Sequence, residues 1–573
     1  MVISAADLPT ITPDEYGSWA VARFLAGHDS LVLMQDMPQY PLVPGAVVAP
    51  ITLLPIGPVA GYRLSLVVLS LFTVVAAVLL RRVVSMLSPD RSVLAAAAFA
   101  VVLLWPATMV TGSFTWAEPT VVLGWAALTW AVVTMWTTAT RRSLTSALVV
   151  GSVVAGAAPF VHGRLTAAPV VWLVAVAAAA RAGSPGADER PRRRALDAAM
   201  CVLIVVSVGG AGRWLEQTVT GALWSDAASN GMPTIVDSLL VFEFWRSLCI
   251  AALGQLWYLV VSSFGLAVFG VLWLVETVRR PARPGLRGAA LTVAALASSN
   301  LAISAVATGT GVFGAVTGTT DAITGMRWDH LIYGRYNDVV ALVLVVLGLV
   351  WLWSVPARQL VVRIAGAAAV GCVAVAVLLD RYGAGLHAND FLLPTIAGVS
   401  IVPADRSGLP VLWWTLWGLA ALGVVVVSAA RGRQVLLGAV GALVVVACLL
   451  GARQAAVLQN DRSAPVLVDT VGAPPHPGAI VTIAADTAHL PYLRFGVFAQ
   501  QHQFAHEGWQ FEFSELDSEA LADDVALARP GSAASPETAN LPDVVVLTDP
   551  EAPPGDDWEA VAEFEGATFW RRD

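Results

Sequence analysis

The chain has 573 residues, of which 57% are hydrophobic and only 13% are charged, and its mean hydropathy is +0.71. This composition excludes an ordinary water-soluble globular protein. All positive side-chain charge comes from arginine, and the net charge of -8 argues against nucleic acid as a partner. The four cysteines stand singly in apolar stretches without metal-binding spacing, so we expect them to be packed in the interior.

Apolar runs long enough to cross a bilayer predict about twelve transmembrane helices. They begin near Leu64, Val93, Thr120, Leu144, Ala167, Ala198, Leu248, Ala289, Val339, Val361, Leu409 and Val435. Arginines are grouped in every second loop, and the positive-inside rule makes those loops cytoplasmic. The alternate loops, which carry most of the Asp, Glu, His, Trp and Tyr, then face outward. We therefore expect a mainly α, polytopic helical bundle in the cytoplasmic (inner) membrane.

Three domains follow from this pattern: an outer first loop (1–62), a transmembrane helical domain (63–451) and an extracytoplasmic soluble domain (452–573). No apolar segment is visible ahead of the first loop, so we expect a further transmembrane helix before the start of this sequence. In the last domain, AIVTIAAD, WQFEFSEL and PDVVVLTD predict strands, and LPYLRFGVFAQQH and SEALADDVALA predict helices. WEAVAEFEGATFWRRD predicts a closing hairpin. This small α/β domain would serve acceptor docking or stability, and the sequence does not choose between them.

The first loop contains a pair of adjacent carboxylates in the segment TPDEYGSWAVARFLAG. Thr12 as N-cap, Pro13 at the first helical position and Glu15 reaching back would form a capping box, which leaves Asp14 pointing outward. The helix that follows has an apolar face suited to lying in the membrane interface. We expect Glu15 to cap this helix and to assist catalysis, and Asp14 to be a general base near headgroup level.

Ionisable groups are costly near a membrane, so their positions are informative. On the predicted outer side they include His28 in the first loop, Glu118 at the start of the third span, and His162 and Arg164 in the motif HGR. The motif YGRY adds Tyr333, Arg335 and Tyr336. Each has a simpler explanation. Glu118 would suit a helix N-terminus, Arg164 could snorkel to headgroups, and YGRY could belong to an aromatic belt.

The segments PDEYGSWAVARFLAG and YPLVPGAVVAPITLLPIG resemble the first outer loop of the C-type glycosyltransferase superfamily. WAEPTVVLGW, VHGRLTAAPVVWL, LGQLWYLVVSSFGLAVFG and YGRYNDVVALVLVVLG are similar to the corresponding stretches of actinobacterial members. The resemblance implies an inverting transfer of a hexose or pentose, such as mannose or arabinofuranose, from a polyprenyl-phosphate carrier. The acceptor would be a cell-envelope glycan, lipid or protein at the outer face of the bilayer.

Sugar transfer of this kind needs a base for the acceptor hydroxyl and positive charge for the departing phosphate. We expect Asp14 and Glu15 to supply the first. His28, Glu118, His162, Arg164, Tyr333, Arg335 and Tyr336 would bind the substrate and its phosphate. Arginine suits phosphate because its planar fork matches the phosphate oxygens. A divalent metal ion, if the reaction uses one, would bind Asp14 or Glu15.

Two other functions fit the same pattern. A polysaccharide polymerase or ligase would also act on the outer face, with a diphosphate-linked glycan as donor. A lipid or solute transporter would instead carry polar residues deep within its spans and paired broken helices. The ionisable residues here lie mostly at predicted outer helix ends, which favours an enzyme.

Overall fold

The structure is a computed structural model that describes residues 13–27, 40–138, 140–182, 191–223, 238, 240–283, 285–317, 328–355, 358–383, 395–402 and 410–461, together with 480–484, 510–514, 544–547, 558–564 and 567–572. In these ranges the chain forms seventeen α-helices. They are α1 Pro13–Leu25, α2 Leu42–Thr52, α3 Pro58–Leu87, α4 Ser92–Leu103, α5 Pro106–Thr111, α6 Glu118–Thr137, α7 Arg141–Val161, α8 Ala168–Ala182, α9 Pro191–Leu223, α10 Phe242–Ser262, α11 Leu266–Arg279, α12 Leu286–Thr317, α13 Asp338–Ser354, α14 Arg358–Gly383, α15 Ala397–Ser400, α16 Val411–Arg431 and α17 Arg433–Asp461.

Each of the twelve predicted spans corresponds to one of these helices. Ten helices in the described part of the chain are long and apolar enough to cross a membrane, and α4 and α13 are shorter apolar helices at two further predicted positions. The prediction of a mainly α, polytopic fold is confirmed. The sequence pattern predicted one span where the structure has two helices, α10 and α11. The two helices are divided by a turn in which Phe264 and Gly265 both have positive φ, at 55° and 76°.

The chain divides into two compact units, one formed by 1–67, 217–231 and 456–573 and the other by 68–216 and 232–455. The predicted first and third domains thus contribute to the same unit. In that unit α1 packs against α2, and Trp19, Ala22, Val48 and Tyr62 share a buried apolar cluster. Gly45 permits the close crossing, because a Cβ there would lie 2.5 Å from the side chain of Val21.

Part of the apolar face of α1 is used in packing within the protein. Ala20 and Val21 are fully buried, whereas Phe24 and Leu25 on the same face are only partly buried, so the position of α1 in the membrane interface stays a prediction. The sequence pattern identified an apolar face, but an apolar face can be covered by lipid or by another helix. Here α2 and the start of α3 supply the covering surface.

The C-terminal region contains a five-stranded sheet. Its strands are β1 Ile480–Ala484, β2 Gln510–Ser514, β3 Val544–Leu547, β4 Trp558–Phe564 and β5 Ala567–Arg572, in the order β2-β1-β3-β5-β4. The first three are parallel, and β4 and β5 form an antiparallel hairpin beside β3. All five strands lie in the segments predicted to form them. The two helices predicted between them lie outside the described residues.

The second unit contains most of the apolar helices. At their arginine-rich ends, the guanidinium of Arg141 at the start of α7 binds the carboxylate of Asp197 in α9, with an Nη2–Oδ1 distance of 2.6 Å. Arg283 donates from Nη1 to the carbonyl of Met86 at 3.2 Å. The polar cluster described next joins the first residue of α6, the turn between α7 and α8, and the segment that leads into α13. The cluster therefore lies at the helix ends opposite those that carry these arginines.

Candidate functional site

Three buried charged side chains form the centre of the site: Glu118, Arg164 and Arg335, which are 2%, 2% and 4% exposed. Arg335 donates from Nε to Oε1 of Glu118 at 2.6 Å, and Nη2 of Arg164 lies 3.4 Å from the same oxygen. Arg164 also donates from Nη1 to the backbone carbonyl of Arg335 at 3.0 Å. We call these three residues the charged triad. It joins residues that are 46 to 217 positions apart in the sequence.

Local sequence explains where each member of the triad stands. Glu118 begins α6, and the proline that follows it occupies an early helical position where no amide donor is needed. Arg164 lies in a short 3₁₀ turn, Gly163–Leu165, that connects α7 to α8. The ring Nδ1 of His162 accepts a hydrogen bond from the backbone N–H of Arg164 at 3.3 Å and caps that turn.

Arg335 lies in the segment between the 3₁₀ turn Trp328–Leu331 and α13. Its backbone N–H donates to the carbonyl of Thr395 at 2.7 Å. The hydroxyl of Thr395 in turn donates to Oδ2 of Asp329 at 2.8 Å. The segment before α13 is therefore fixed to the start of α15 by backbone and side-chain bonds, which limits the positions the Arg335 guanidinium can take.

Aromatic rings surround the guanidinium groups. Arg335 lies over the ring of Trp116, 4.0 Å from its centroid, and Arg164 lies 5.2 Å from the centroid of Tyr336. Tyr336 is also flanked by His162 and Tyr333, with ring centroids 5.1 and 4.5 Å away. Cation–π contacts of this kind are stronger in sites removed from water. They hold the two guanidinium groups while leaving their N–H donors available for polar partners.

The surroundings of His162 disfavour its protonated form. Burial lowers its pKa well below the usual value, and the positive charges of Arg164 and Arg335 lower it further. The hydrogen bond accepted by Nδ1 agrees with this, because that nitrogen must then carry no proton. His162 therefore adds no positive charge to the site and presents Nε2–H as a donor.

Two polar atoms of the triad are buried and have no hydrogen-bond partner within the described ranges: Nε of Arg164 and Oε2 of Glu118. Buried polar groups are nearly always paired, so such atoms call for an explanation. Nε of Arg164 is a donor, and the guanidinium of Arg335 binds the same carboxylate oxygen as Arg164 does. The triad can therefore give at least one further charge-assisted hydrogen bond to an anion.

The burial of these residues excludes two of the simpler explanations. Arg164 is too deeply buried to snorkel to a headgroup, and Arg335 and Tyr333, at 4% and 7% exposure, do not form an exposed aromatic belt. Glu118 is the first residue of α6, as the macrodipole explanation requires. Its carboxylate nevertheless binds two guanidinium groups, so the helix dipole does not account for its contacts.

The structure thus brings together six of the residues predicted to bind substrate: Glu118, His162, Arg164, Tyr333, Arg335 and Tyr336. Their contact with a donor remains a prediction. His28 lies outside the described residues.

The acidic pair belongs to the other unit. Helix α1 begins at Pro13, as predicted, and the carboxylate of Glu15 is fully buried. Oε1 of Glu15 accepts a hydrogen bond of 2.7 Å from the hydroxyl of Tyr62, at the start of α3. Thr12, the predicted N-cap, lies outside the described residues, so the capping box itself stays a prediction. Asp14 lies in the first turn of α1.

Sequence reasoning missed several residues around the triad. Asp338, the first residue of α13, accepts a hydrogen bond from the hydroxyl of Tyr258 at 2.7 Å and is buried close to both arginines. Trp116 stacks on Arg335, and Asn300 lies in the middle of an apolar span. A polar amide inside a predicted span is a signal that could have found Asn300, because such residues are rare there.

The positions of the His, Cys, Asp and Glu side chains bear on metal binding. In the part of the chain that the structure describes, no three His, Cys, Asp or Glu side chains lie close enough together to hold a metal ion. Glu118 binds two guanidinium groups, which would repel a cation. A metal at Asp14 or Glu15 remains a prediction.

Comparison with known proteins gives a likeness of fold. No family model matches the chain, and no curated protein sequence matches it. Among solved structures, ArnT from Cupriavidus metallidurans in the apo state is similar, with a TM-score of 0.50 and 14% identity, over 99% of this chain and 95% of that one. ArnT from the same organism bound to undecaprenyl phosphate aligns with a TM-score of 0.49 and 15% identity, over the same shares of the two chains. This chain therefore has an ArnT-like polytopic fold.

Proposed function

We propose that this protein is a membrane glycosyltransferase that moves a sugar from a polyprenyl-phosphate donor to a cell-envelope acceptor on the outer face of the cytoplasmic membrane. The ArnT-like fold supports a polytopic enzyme of this type. The observation that carries the proposal is the buried triad, in which two guanidinium groups share one carboxylate and Nε of Arg164 has no acceptor among the described residues.

The triad suits a phosphate leaving group. As the bond between the sugar and the phosphate breaks, negative charge grows on the phosphate oxygens, and donors aimed at that charge stabilise the transition state more than the bound substrate. Arg335 and Arg164 are fixed by Glu118 and by the rings of Trp116 and Tyr336, so little reorganisation is needed during the reaction. Burial strengthens each of these interactions because the local dielectric is low.

Glu118 has a positioning role in this mechanism. Oε1 binds Nε of Arg335 and Nη2 of Arg164, so the carboxylate sets the planes of both guanidinium groups. A buried carboxylate between two arginines also prevents the repulsion that two unpaired guanidinium groups would suffer. An arriving phosphate would add a second anion to the pair of arginines without displacing the first.

The acceptor hydroxyl must lose a proton as it attacks the anomeric carbon from the face opposite the phosphate, which inverts the configuration at that carbon. We propose Asp14 as the general base, because it stands in the first turn of α1, where the helix dipole favours a carboxylate. Glu15 is held by Tyr62 and fits the assisting role that we propose for it. A divalent metal ion, if the reaction uses one, would be held by one of these two carboxylates and would stabilise the departing phosphate.

The test is transfer by the purified protein in lipid nanodiscs, with radiolabelled decaprenyl-phosphate sugars, one pentose and one hexose, and a panel of envelope acceptors. Release of decaprenyl phosphate that depends on the acceptor would support the proposal. Arg164→Lys should reduce turnover, whereas Arg381→Lys is the matched control, because Arg381 lies in the exposed last turn of α14. Turnover of diphosphate-linked glycan but not of the monophosphate sugars would favour a polymerase or ligase.

Transport of the same class of lipid is a second candidate, and one observation favours it. Two apolar segments are interrupted, one between α4 and α5 and the other between α10 and α11, and the breaks meet where the rings of Trp105 and Phe264 lie 6.0 Å apart. Paired broken helices are typical of transporters. Movement of decaprenyl-phosphate sugar across a sealed vesicle without any transfer would support this candidate instead.

A further inference from the structure

A row of buried polar side chains runs along α12 next to the charged triad. Asn300, Ser304 and Thr308 are spaced four residues apart, so they lie on one face of the helix, and each is at most 3% exposed. Asn300 donates from Nδ2 to the backbone carbonyl of Tyr336 at 3.0 Å. Thr308 is joined to Gln255 of α10, whose Nε2 lies 2.8 Å from its hydroxyl oxygen. The row therefore faces α10 and the segment that carries Arg335 and Tyr336.

The orientation of two amide groups follows from their partners. Nδ2 of Asn300 faces a backbone carbonyl of Tyr336, which can only accept, so the donor nitrogen must be on that side. The hydroxyl of Thr308 donates its hydrogen to the carbonyl of Ser304 at 2.9 Å and must accept from Nε2 of Gln255. In both Asn300 and Gln255 the amide nitrogen therefore already donates a hydrogen bond. The oxygens, Oδ1 of Asn300 and Oε1 of Gln255, are buried and have no partner within the described ranges.

Asn337 repeats the pattern. Its Nδ2 faces the backbone carbonyl of Tyr333 and the hydroxyl of Ser304, each at 3.4 Å. Its Oδ1 is buried and is also without a partner in the part of the chain that the structure describes. Asn337 is fully buried, so water at the protein surface does not reach this oxygen.

A fourth oxygen belongs to Asp338. The hydroxyl of Tyr258 accepts a hydrogen bond from the backbone N–H of Gly398 at 2.8 Å, so its own hydrogen is donated to Oδ1 of Asp338 at 2.7 Å. Oδ2 of Asp338 has no partner among the described residues. Asp338 is 5% exposed, and its carboxylate is therefore half satisfied in a buried position.

The four oxygens belong to residues that are joined by the hydrogen bonds described above or are adjacent in the chain, and we call them the acceptor cluster: Oε1 of Gln255, Oδ1 of Asn300, Oδ1 of Asn337 and Oδ2 of Asp338. The cluster adjoins the triad, because Arg335 is followed in the chain by Tyr336, Asn337 and Asp338. The carbonyl of Tyr336 is held by Asn300, and its ring lies beneath the guanidinium of Arg164.

All four atoms of the cluster are acceptors, and this identifies the chemistry of a suitable ligand. It must bring several O–H or N–H groups, because each buried oxygen needs a hydrogen to accept. A divalent cation fits poorly, since three of the four oxygens are neutral carbonyls and two guanidinium groups lie nearby. We infer that the acceptor cluster binds the hydroxyl groups of the sugar while the triad binds the phosphate to which that sugar is attached. This inference rests on the proposed function and assigns the sugar-binding residues.

Gln255→Met is the cleanest test. Methionine has nearly the same shape, and Thr308 keeps its bond to the carbonyl of Ser304 after the amide is removed. Gln454→Met is the matched control, because Gln454 is a partly buried glutamine in α17 whose oxygen and nitrogen both bond to Ser400. The measurement is the Kd of three lipids for the purified, full-length protein in nanodiscs: decaprenyl phosphate, arabinofuranosyl-phosphodecaprenol and mannosyl-phosphodecaprenol.

We expect wild-type protein to bind at least one sugar-bearing lipid more tightly than decaprenyl phosphate. Gln255→Met should weaken that binding by roughly tenfold, since a site built to hydrogen-bond a hydroxyl discriminates strongly through it. The Kd of decaprenyl phosphate should change less than twofold, and Gln454→Met should change none of the three. Asn300→Leu should give the same selective loss.

Three results would overturn the inference. Equal affinity of wild type for all three lipids would remove the sugar site while leaving the phosphate site intact. Equal weakening of all three lipids by Gln255→Met would reduce the cluster to a structural role. No binding of any of the lipids would remove the proposed function together with the inference.

Discussion

Arg335→Lys offers a sharp test of the phosphate site, because it keeps the positive charge and removes the planar fork. In the structure Nε of Arg335 donates to Glu118 at 2.6 Å, and the guanidinium lies 4.0 Å from the centroid of Trp116. The ammonium group of lysine can form the ion pair with Glu118 in place of the guanidinium. It cannot also present a second, coplanar donor to a phosphate oxygen.

The expected size of the effect follows from the bond that is lost. A hydrogen bond to a charged group contributes about 1.5–3 kcal/mol. If that bond forms fully only in the transition state, its loss lowers kcat by roughly 10- to 150-fold and changes KM little. Stability should fall by less than the roughly 3–5 kcal/mol typical of a broken buried pair, because lysine still neutralises Glu118.

The assay is the initial rate of sugar transfer over a range of donor concentrations, with thermal unfolding measured on the same samples. Arg381→Lys should behave as wild type in both measurements. Arg335→Ala should cost more than Arg335→Lys in rate and in stability. Full activity of Arg335→Lys and Arg335→Ala would refute the phosphate role, and a rise in KM at constant kcat would refute the claim that the arginine acts mainly in the transition state.

Further predictions concern the acidic pair and the orientation of the chain. Asp14→Asn should abolish transfer with near-normal folding, because a carboxamide cannot accept the proton; wild-type turnover would remove Asp14 from the mechanism. Glu15→Gln should have a milder effect on transfer, since glutamine can still accept a hydrogen bond from Tyr62. An inactive Glu15→Gln variant together with an active Asp14→Asn variant would make Glu15 the general base and Asp14 the assisting residue. Tyr62→Phe should lower the free energy of unfolding by about 1–3 kcal/mol, because it removes a hydrogen bond to a buried carboxylate, and unchanged thermal unfolding would argue against that bond. In a cysteine-free background, a cysteine at Ser463 should react with an impermeant thiol reagent in whole cells and one at Ser184 should not; the opposite result would put the site on the cytoplasmic side.

The sequence by itself determined the helical architecture. Apolar runs placed all twelve predicted spans on helices, because a segment without access to water must satisfy its own backbone hydrogen bonds. The strands of the C-terminal sheet were also predicted in the right segments, because the alternation of apolar and polar residues and the turn residues between strands are local signals. The positions of Glu118, Arg164 and Arg335 at helix ends were also visible, since charge is costly inside an apolar run.

Only the tertiary structure decided how these residues combine. Burial and pairing distinguish a charged triad from three separate surface charges, and both depend on contacts between residues up to 217 positions apart. The covering of α1 by α2 was equally hidden, because an apolar face does not specify what covers it. The acceptor cluster needed the structure most of all. Gln255 and Asn337 sit in unremarkable local sequence, and Asn300 is marked only by its position inside an apolar span. That the side-chain oxygens of these three residues lack a partner among the described residues becomes apparent only when the partners of their nitrogens are known.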